Sequence, residues 1–468
     1  MIDTKAMREK ILDLAMRGKL VPQDPNDEPA SALLERICVE KQRLFEEGKL
    51  KKKDIQEIEV KGEEIPFDIP DSWQWTKLGS LLINRDGERI PVSVTERKGR
   101  EKIFDYYGAS GVIDKIDNFL FDAKLLLIGE DGANLVTRTK PIAFIAEGKY
   151  WVNNHAHVLD ALDKITLDYV KNYINKISLL EYITGSAQPK MNQAKMNSIL
   201  VPVPPLLEQR RIVKKVEELF EKLSSIEQEQ QALQQLSEQL KQKVLNTAMR
   251  GKLVSQDPND EPASVLLEKI RTEKQRLFEE GKIKKKDLQE SPIVESDNTY
   301  YGRRPFGWDV VRLIDVTDIT MGQSPKGSSV SDTKTENAVE FHQGKSYFGE
   351  KTLTNSSKYT TEITKLIDVK CVVMSVRAPV GDVNLLDRPI VIGRGLTAII
   401  PIKFDLYFLY KFLQTKKSGL EKLATGTTFK AIGGEILRNQ LIPIPPLAEQ
   451  KRIVSVIEQV EKSIQNLL

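Results

Sequence analysis

The amino-acid sequence predicts an α+β protein: two modules separated by a long antiparallel two-helix coiled-coil spacer, in a pseudo-twofold circular arrangement. Three observations predict it. The chain carries an internal duplication, a heptad seam runs through its centre, and two divergent stretches mix β-like runs with amphipathic helices.

The duplication sets the order of the parts. Residues 8–57 and 241–290 share AMRGKLV, QDPNDEPAS, EKQRLFEEGK and KKKD at a constant offset of 233, with 38 of 50 aligned positions identical. The module exits also align, GSAQPKMNQAKMNSILVPVPPLLEQRRIV (185–213) with GTTFKAIGGEILRNQLIPIPPLAEQKRIV (426–454), at an offset of 241. The module starts IPDSWQWTKLG (69–79) and RPFGWDVVRLID (304–315) correspond. The expected parts are a helical repeat segment (1–64), module one (65–205), a central helical spacer with the second repeat segment (206–292), module two (293–446) and a final helix (447–468). Near-identical flanks imply that the repeated segments meet the same partner, or each other, twice. Divergent interiors imply that the modules meet two different targets.

The helices follow from periodicity. After PVPPLLEQ, the positions Ile212, Val216, Leu219, Leu223, Ile226, Leu233, Leu240 and Val244 alternate four and three, with Gln230 and Ser237 filling the gaps. A helix from Leu206 to Arg250 would be about 65 Å long. The seam recurs at Ile453, Ile457, Val460, Ile464 and Leu467, and at Met7, Ile11 and Leu14. Aligned on the central helix, the C-terminal helix matches 206–227 and the N-terminal segment 234–250, so the termini together mimic a second, broken copy. A further helix follows in each half, DEPASALLERICVEKQRLFEEG and DEPASVLLEKIRTEKQRLFEEG, with Pro29 or Pro262 at its start and Gly48 or Gly281 just past its end. Its apolar face (Leu33, Ile37, Leu44, Phe45) serves either intramolecular packing or a docking partner.

Inside the modules, KLLLIG (124–129), AFIA (143–146), CVVMSV (371–376) and LTAII (396–400) read as buried strands. LDYVKNYINKISLLEYI (167–183) and LYFLYKFLQTKKSGLEKL (406–423) read as amphipathic helices.

Composition narrows the function. Cys38 and Cys371 are the two cysteines, which excludes a disulfide framework and suits a reducing cytoplasm. MIDTKAMREK lacks the apolar run of a signal peptide, and no run approaches the roughly 18 apolar residues of a membrane span. Net charge is +3; residues 66–205 hold 17 basic and 17 acidic residues, and residues 293–446 hold 20 and 16. A binder of bulk polyanion would be more basic, so a nucleic-acid ligand would need focused charge and specific contacts.

Polar donors gather in the module loops, and such side chains pair with base edges or hold phosphates. In module one the candidates are Arg97, Lys98 and Arg100 (TERKGREK), Asn134 (GEDGAN) and Arg138 (RTK). WVNNHAH adds Asn153, Asn154 and His155, and SAQPKMNQ adds Gln188, Lys190 and Asn192. In module two they are Gln323, Ser324 and Lys326 (GQSPKGSS), with Gln343 and Lys345 (FHQGKS). Arg377 (SVRAPVG), Arg394 (GRG), Thr428 and Lys430 (GTTFK) complete the set. With three histidines in the chain, His155 and His157 suit structural or hydrogen-bonding roles better than a metal site.

AMRGKLVPQD, DSWQW, WVNNHAHV, TGSAQPKMNQ, VRAPVGDVN, GRGLTAI, TGTTFKAI and the paired PPLxEQxxIV exits together resemble the specificity subunit of Type I restriction–modification enzymes, over the whole chain. The resemblance implies that the modules are target recognition domains, each reading half of a bipartite asymmetric site in double-stranded DNA. It implies a helical spacer that docks two methyltransferase subunits, with restriction (motor) subunits completing the complex. It implies a chain that is not an enzyme itself and binds no cofactor, with S-adenosylmethionine, ATP and magnesium on the partner subunits.

The residues agree with a non-catalytic role. There is no Asn/Asp-Pro-Pro-Tyr/Phe motif and no GxxxxGK[ST]. IGRGLTA lacks the strand–turn–helix setting of a dinucleotide loop. Pro70-Asp71 with Glu96-Arg97-Lys98 imitates a nuclease motif but belongs to the module start. The competing class is a coiled-coil scaffold with two protein-binding modules and no DNA recognition.

Overall fold

The computed structural model describes residues 2–55, 60–185, 187–288, 305–425 and 430–467. The chain divides into two compact units, Met1–Gln230 and Gln231–Leu468, and the division falls inside a 44-residue helix, Leu206–Met249. The expected boundary at 292/293 lies outside the described residues.

In unit 1, Asp3 caps the helix Thr4–Met16 by accepting from the Ala6 amide. Its early residue Arg8 covers the Phe220 ring and donates to Ser224, while Ala15 and Met16 share a core with Ile212, Val213 and Val216. The two helices therefore run antiparallel. In unit 2 the helix Leu447–Gln465 repeats this: Ile453 and Ile457 share a core with Leu245 and Ala248, while Glu461 and Gln465 line one cleft with Glu238 and Gln242.

The seam is shorter than its periodicity. Ile212, Val216, Leu223, Ile453, Ile457 and Ile464 are buried, but Leu233 and Leu240 are 39% and 45% exposed, and Met7 and Leu467 are also exposed. The covered face departs from the predicted row: at the level where Glu461 and Gln465 stand beside Glu238 and Gln242, Ser237 and Leu245 are buried while Leu240 is not.

Each module packs two larger sheets against each other, with a helix on one face, and adds a two-stranded ribbon. In module one the strand Leu125–Gly129 is buried throughout. Leu125 and Leu127 pack with Tyr150 and Val152 of the second sheet. Leu126 and Ile128 pack toward the helix Lys164–Lys176. That is the two-residue alternation of a strand covered on both faces. In module two Cys371 and Val373 face Ile390 and Ile392, and Val372 and Met374 face the helix Leu406–Leu423. Each module pairs two of its strands in parallel, Phe104–Gly108 with Lys149–Val152 and Val339–His342 with Ile390–Ile392. The helix expected over 167–183 ends at Lys176, where Ile177 turns to an extended backbone and Arg138 donates its guanidinium hydrogens to the carbonyls of Ile174, Asn175 and Ile177. These are the groups that a helix end leaves unpaired.

The repeated segments form one joint, built twice. Glu208 is fully buried and accepts from the indole of Trp73 at 3.0 Å and the amide of Gln23 at 2.8 Å, while Arg211 pairs with Asp27. Glu449 accepts from Trp308 at 2.9 Å and Gln256 at 3.1 Å, while Arg452 pairs with Asp260 at 2.6 Å. Burial pushes both carboxyls above the usual glutamate value. The first and last strands of each module close beside the joint, Gln74–Lys77 on Leu200–Val203 and Asp309–Arg312 on Leu441–Ile444. The repeat helices Ala30–Glu46 and Ala263–Glu279 bury Leu33, Ile37, Leu266 and Ile270 in the unit cores, so their apolar faces serve intramolecular packing. Their buried lysines are held alike, Lys41 donating to the Gly79 carbonyl at 2.6 Å and Lys274 to that of Ile314 at 2.8 Å. Burial lowers Lys41 to about 8.

Candidate nucleic-acid interface

At one end of module one, three loops are tied together by backbone hydrogen bonds. The Glu130 amide donates to the His155 carbonyl and the Glu130 carbonyl accepts from Met191, both at 2.8 Å. Gly132 donates to Pro189 at 3.0 Å, and Asn153 to Tyr107 at 3.1 Å. Lys190 forms isolated bridges with Asp131 and Thr184. This ties the SAQPKMNQ loop, which leads into the helix Gln193–Asn197, to the GEDGAN loop after the buried strand Leu125–Gly129 and to the WVNNHAH turn between Lys149–Val152 and Ala156–Asp160.

Module two builds the same frame. Val376 donates to the Gly395 carbonyl at 2.9 Å and accepts from Ile432 at 3.0 Å; Ala378 donates to Lys430 at 2.9 Å, and Gly393 to His342 at 2.8 Å. Ala431 bridges Arg377 and Thr425. Matching bond for bond, Glu130 corresponds to Val376, Asp131 to Arg377, Asn154 to Arg394, His155 to Gly395 and Lys190 to Ala431. The loops press closely: a Cβ on Gly395 would lie 2.5 Å from the Gln343 carbonyl oxygen, which accounts for the GRG turn.

The side chains on this shared frame differ. In module one the charges are paired internally. Asp131 meets His155 Nδ1 at 2.8 Å, Arg89 meets Glu130 at 2.8 Å and Lys190 meets Glu130 at 3.2 Å. Burial alone would raise Glu130, but the Arg89 hydrogen bond and the neighbouring cations outweigh it and hold its carboxyl low. His157 is buried between Asp86, at 2.6 Å, and the Met191 carbonyl, at 2.8 Å, a structural role. In module two Arg377, Arg394 and Lys430 are exposed and form no salt bridge among the described residues.

The predicted residues divide accordingly. Asn153, Asn154, His155, Lys190 and Asn192 belong to the module-one loop end, and Gln188 is exposed on the same loop as Lys190. Asn153 is buried and accepts from the His155 amide, and Asn192 caps the helix Gln193–Asn197, so both shape backbone. Asn134 braces its own loop through Thr139 and Lys140. In module two, Gln323, Ser324, Gln343, Arg377, Arg394 and Lys430 come together, with Ser324 bonded to Gln343 at 2.9 Å and accepting from the Arg394 amide. Exposed Lys326 follows on the same loop, and Lys345 pairs with Asp382 at 2.6 Å. Thr428 lies outside the described residues.

Two expectations are corrected. Arg97 is buried against Tyr106 and bonded to Asp114 and the Val92 carbonyl, so its guanidinium braces the fold. Arg138 is likewise committed to the helix end described above. Lys98 is exposed on the short helix Val94–Lys98, and Arg100 pairs with Asp117, both beside the strand Gly111–Ile116 rather than in the loop frame. Sequence reasoning missed Asp131. It weighed donors, and the acceptor between Gly129 and Gly132 was passed over although acidic side chains also read base edges.

A family profile described as "Type I restriction modification DNA specificity domain" matches residues 70–235 and 305–467. The chain belongs to this family, the specificity subunits of Type I restriction enzymes. It is 28% identical to the EcoEI specificity subunit of Escherichia coli, over 97% of this chain and 88% of that one. It is 31% identical to the Escherichia coli EcoAI specificity subunit, over 69% and 64%. A putative MjaX specificity subunit of Methanocaldococcus jannaschii is 28% identical over 90% and 92%. The specificity-subunit fold is shared with the HsdS subunit of Thermoanaerobacter tengcongensis (TM-score 0.51, 23% identity, 86% and 92% covered). A chain from a study of assembly of the type I R-M system has the same fold (TM-score 0.61, 24% identity, 86% and 93% covered). No helix among the described residues of this specificity subunit is long and apolar enough to cross a membrane.

Proposed function

We propose that each module is a target recognition domain reading one half of a bipartite, asymmetric site in double-stranded DNA. The carrying observation is the pair of loop ends, which repeat one backbone frame and differ in the side chains displayed on it. A rigid frame positions donors and acceptors, and the side chains supply sequence discrimination. The helices act as the spacer and dock two methyltransferase subunits. Exposed Leu233, Leu236 and Leu240 on the long helix favour a protein partner there. Restriction subunits complete the assembly. The chain is a non-catalytic component working in the cytoplasm, and S-adenosylmethionine, ATP and magnesium bind the other subunits.

A shift assay with this chain and its methyltransferase partner tests the reading. Retention of a specific duplex at physiological salt is the expected result. A complex that assembles with its partner but retains no DNA under any salt condition would instead identify a scaffold with two protein-binding modules.

A further inference from the structure

The bond-for-bond match of the two loop ends identifies positions, and positions carry chemistry. Two matched pairs stand out. Asp131 matches Arg377, because Lys190 and Ala431 bridge them in the same way and their neighbours make the same hydrogen bonds. Asn154 matches Arg394, because each sits between residues that donate to the parallel strand and accept from the loop beside it. Module two thus places two exposed guanidinium groups, without a salt bridge among the described residues, where module one places a carboxylate and a carboxamide.

These groups select opposite base edges. An arginine fork donates two hydrogens to guanine O6 and N7, whereas carboxylates and carboxamides accept from the exocyclic amino groups of cytosine and adenine. Arg377 and Arg394 keep their forks available, and their backbones are held by the Ala378–Lys430 bond at 2.9 Å and the Arg394–Ser324 bond at 3.2 Å. Asp131 is anchored by His155 Nδ1, which contacts both carboxylate oxygens at 2.8 and 3.0 Å and leaves lone pairs for a base. His155 is then a positioning residue.

We infer that these matched positions set base specificity. Arg377 and Arg394 give module two a guanine-containing half-site, and Asp131 and Asn154 give module one a half-site read through amino-bearing bases. The inference rests on the reading of both modules as DNA-reading domains.

The test uses the chain assembled with its methyltransferase subunits and a pool of randomised duplexes, sequencing what is retained. The wild-type complex should enrich a two-part motif. Arg377→Ala and Arg394→Ala should each reduce enrichment of one guanine by about fivefold or more, the low end for losing a bidentate contact. The other half-site should stay unchanged, which also controls for folding. Asp131→Ala and Asn154→Ala should relax one adenine or cytosine position in the opposite half, and which base relaxes separates the two. Uniform weakening with every base preference intact would assign the arginines to phosphate and overturn the inference. Loss of preference at a position other than guanine for Arg377 would overturn it too. A wild-type complex that binds tightly but enriches no motif would instead sink the DNA-reading function itself.

Discussion

The joints around Glu208 and Glu449 use the same residue types in the same roles: a buried carboxylate, an indole, an amide and an arginine–aspartate pair. The loop ends built around Glu130 and Val376 share their backbone bonds, yet matched positions carry Asp131 or Arg377, Asn154 or Arg394, Lys190 or Ala431. Both regions are duplicated, and they differ in what constrains them. A buried polar cluster tolerates little change, because each partner removed leaves another unsatisfied away from water. An exposed side chain on a braced backbone can be exchanged at little cost to stability, which leaves it open to choose a ligand.

Four outcomes would break or sharpen that comparison. The largest concerns the long helix Leu206–Met249. Four residues inserted near Gln230 add about 6 Å against 3.4 Å per base pair. Retained duplexes should keep both half-sites but gain one or two base pairs between them, if the paired helix accommodates the insertion. An unchanged spacing would count heavily against the helices as the spacer that sets the half-site separation.

Next are the joints. Glu208→Ala strands the Trp73 indole and Gln23 amide and should cost about 3 kcal/mol, with Glu449→Ala costing a similar amount. Denaturation followed separately in each unit checks this, and a clear inequality would show that the repeated joints are not energetically equivalent. Smaller still is the effect of single lysines. Lys430→Ala should weaken DNA binding and flatten the salt dependence by about 0.9 in log–log slope if it touches one phosphate. Lys190→Ala should flatten it less, since Lys190 is already paired with Glu130 at 3.2 Å.

The smallest is a pH effect. Burial raises the Glu208 and Glu449 carboxyls above the ordinary value of 4.5. The folded state favours their protonated forms. That contribution is therefore present below 4.5 and is lost as pH rises through the raised values. The melting temperature of wild type relative to a Glu208→Gln, Glu449→Gln double variant should fall as pH climbs through that window. A pH-independent difference would mean that burial of charge is not what the joints pay.

The sequence by itself determined the two-unit order, the long helix, the buried strands at 125–129 and 371–375, and which loops to suspect. These signals are local or periodic: a repeat at fixed offset, alternation of apolar residues, glycine at turns. Tertiary structure decided the rest. Arg97 and Arg138 look like any exposed cation in a list of residues, and only the approach of Tyr106, Asp114 and the carbonyls of Ile174, Asn175 and Ile177 commits them to the fold. Leu233 and Leu240 keep the heptad, but tertiary packing decides which face of the long helix is covered: Ser237 and Leu245 are buried and Leu240 is not. The match of Asp131 to Arg377 depends on hydrogen bonds between segments far apart in the chain, and no spacing in the sequence encodes which backbone amide finds which carbonyl.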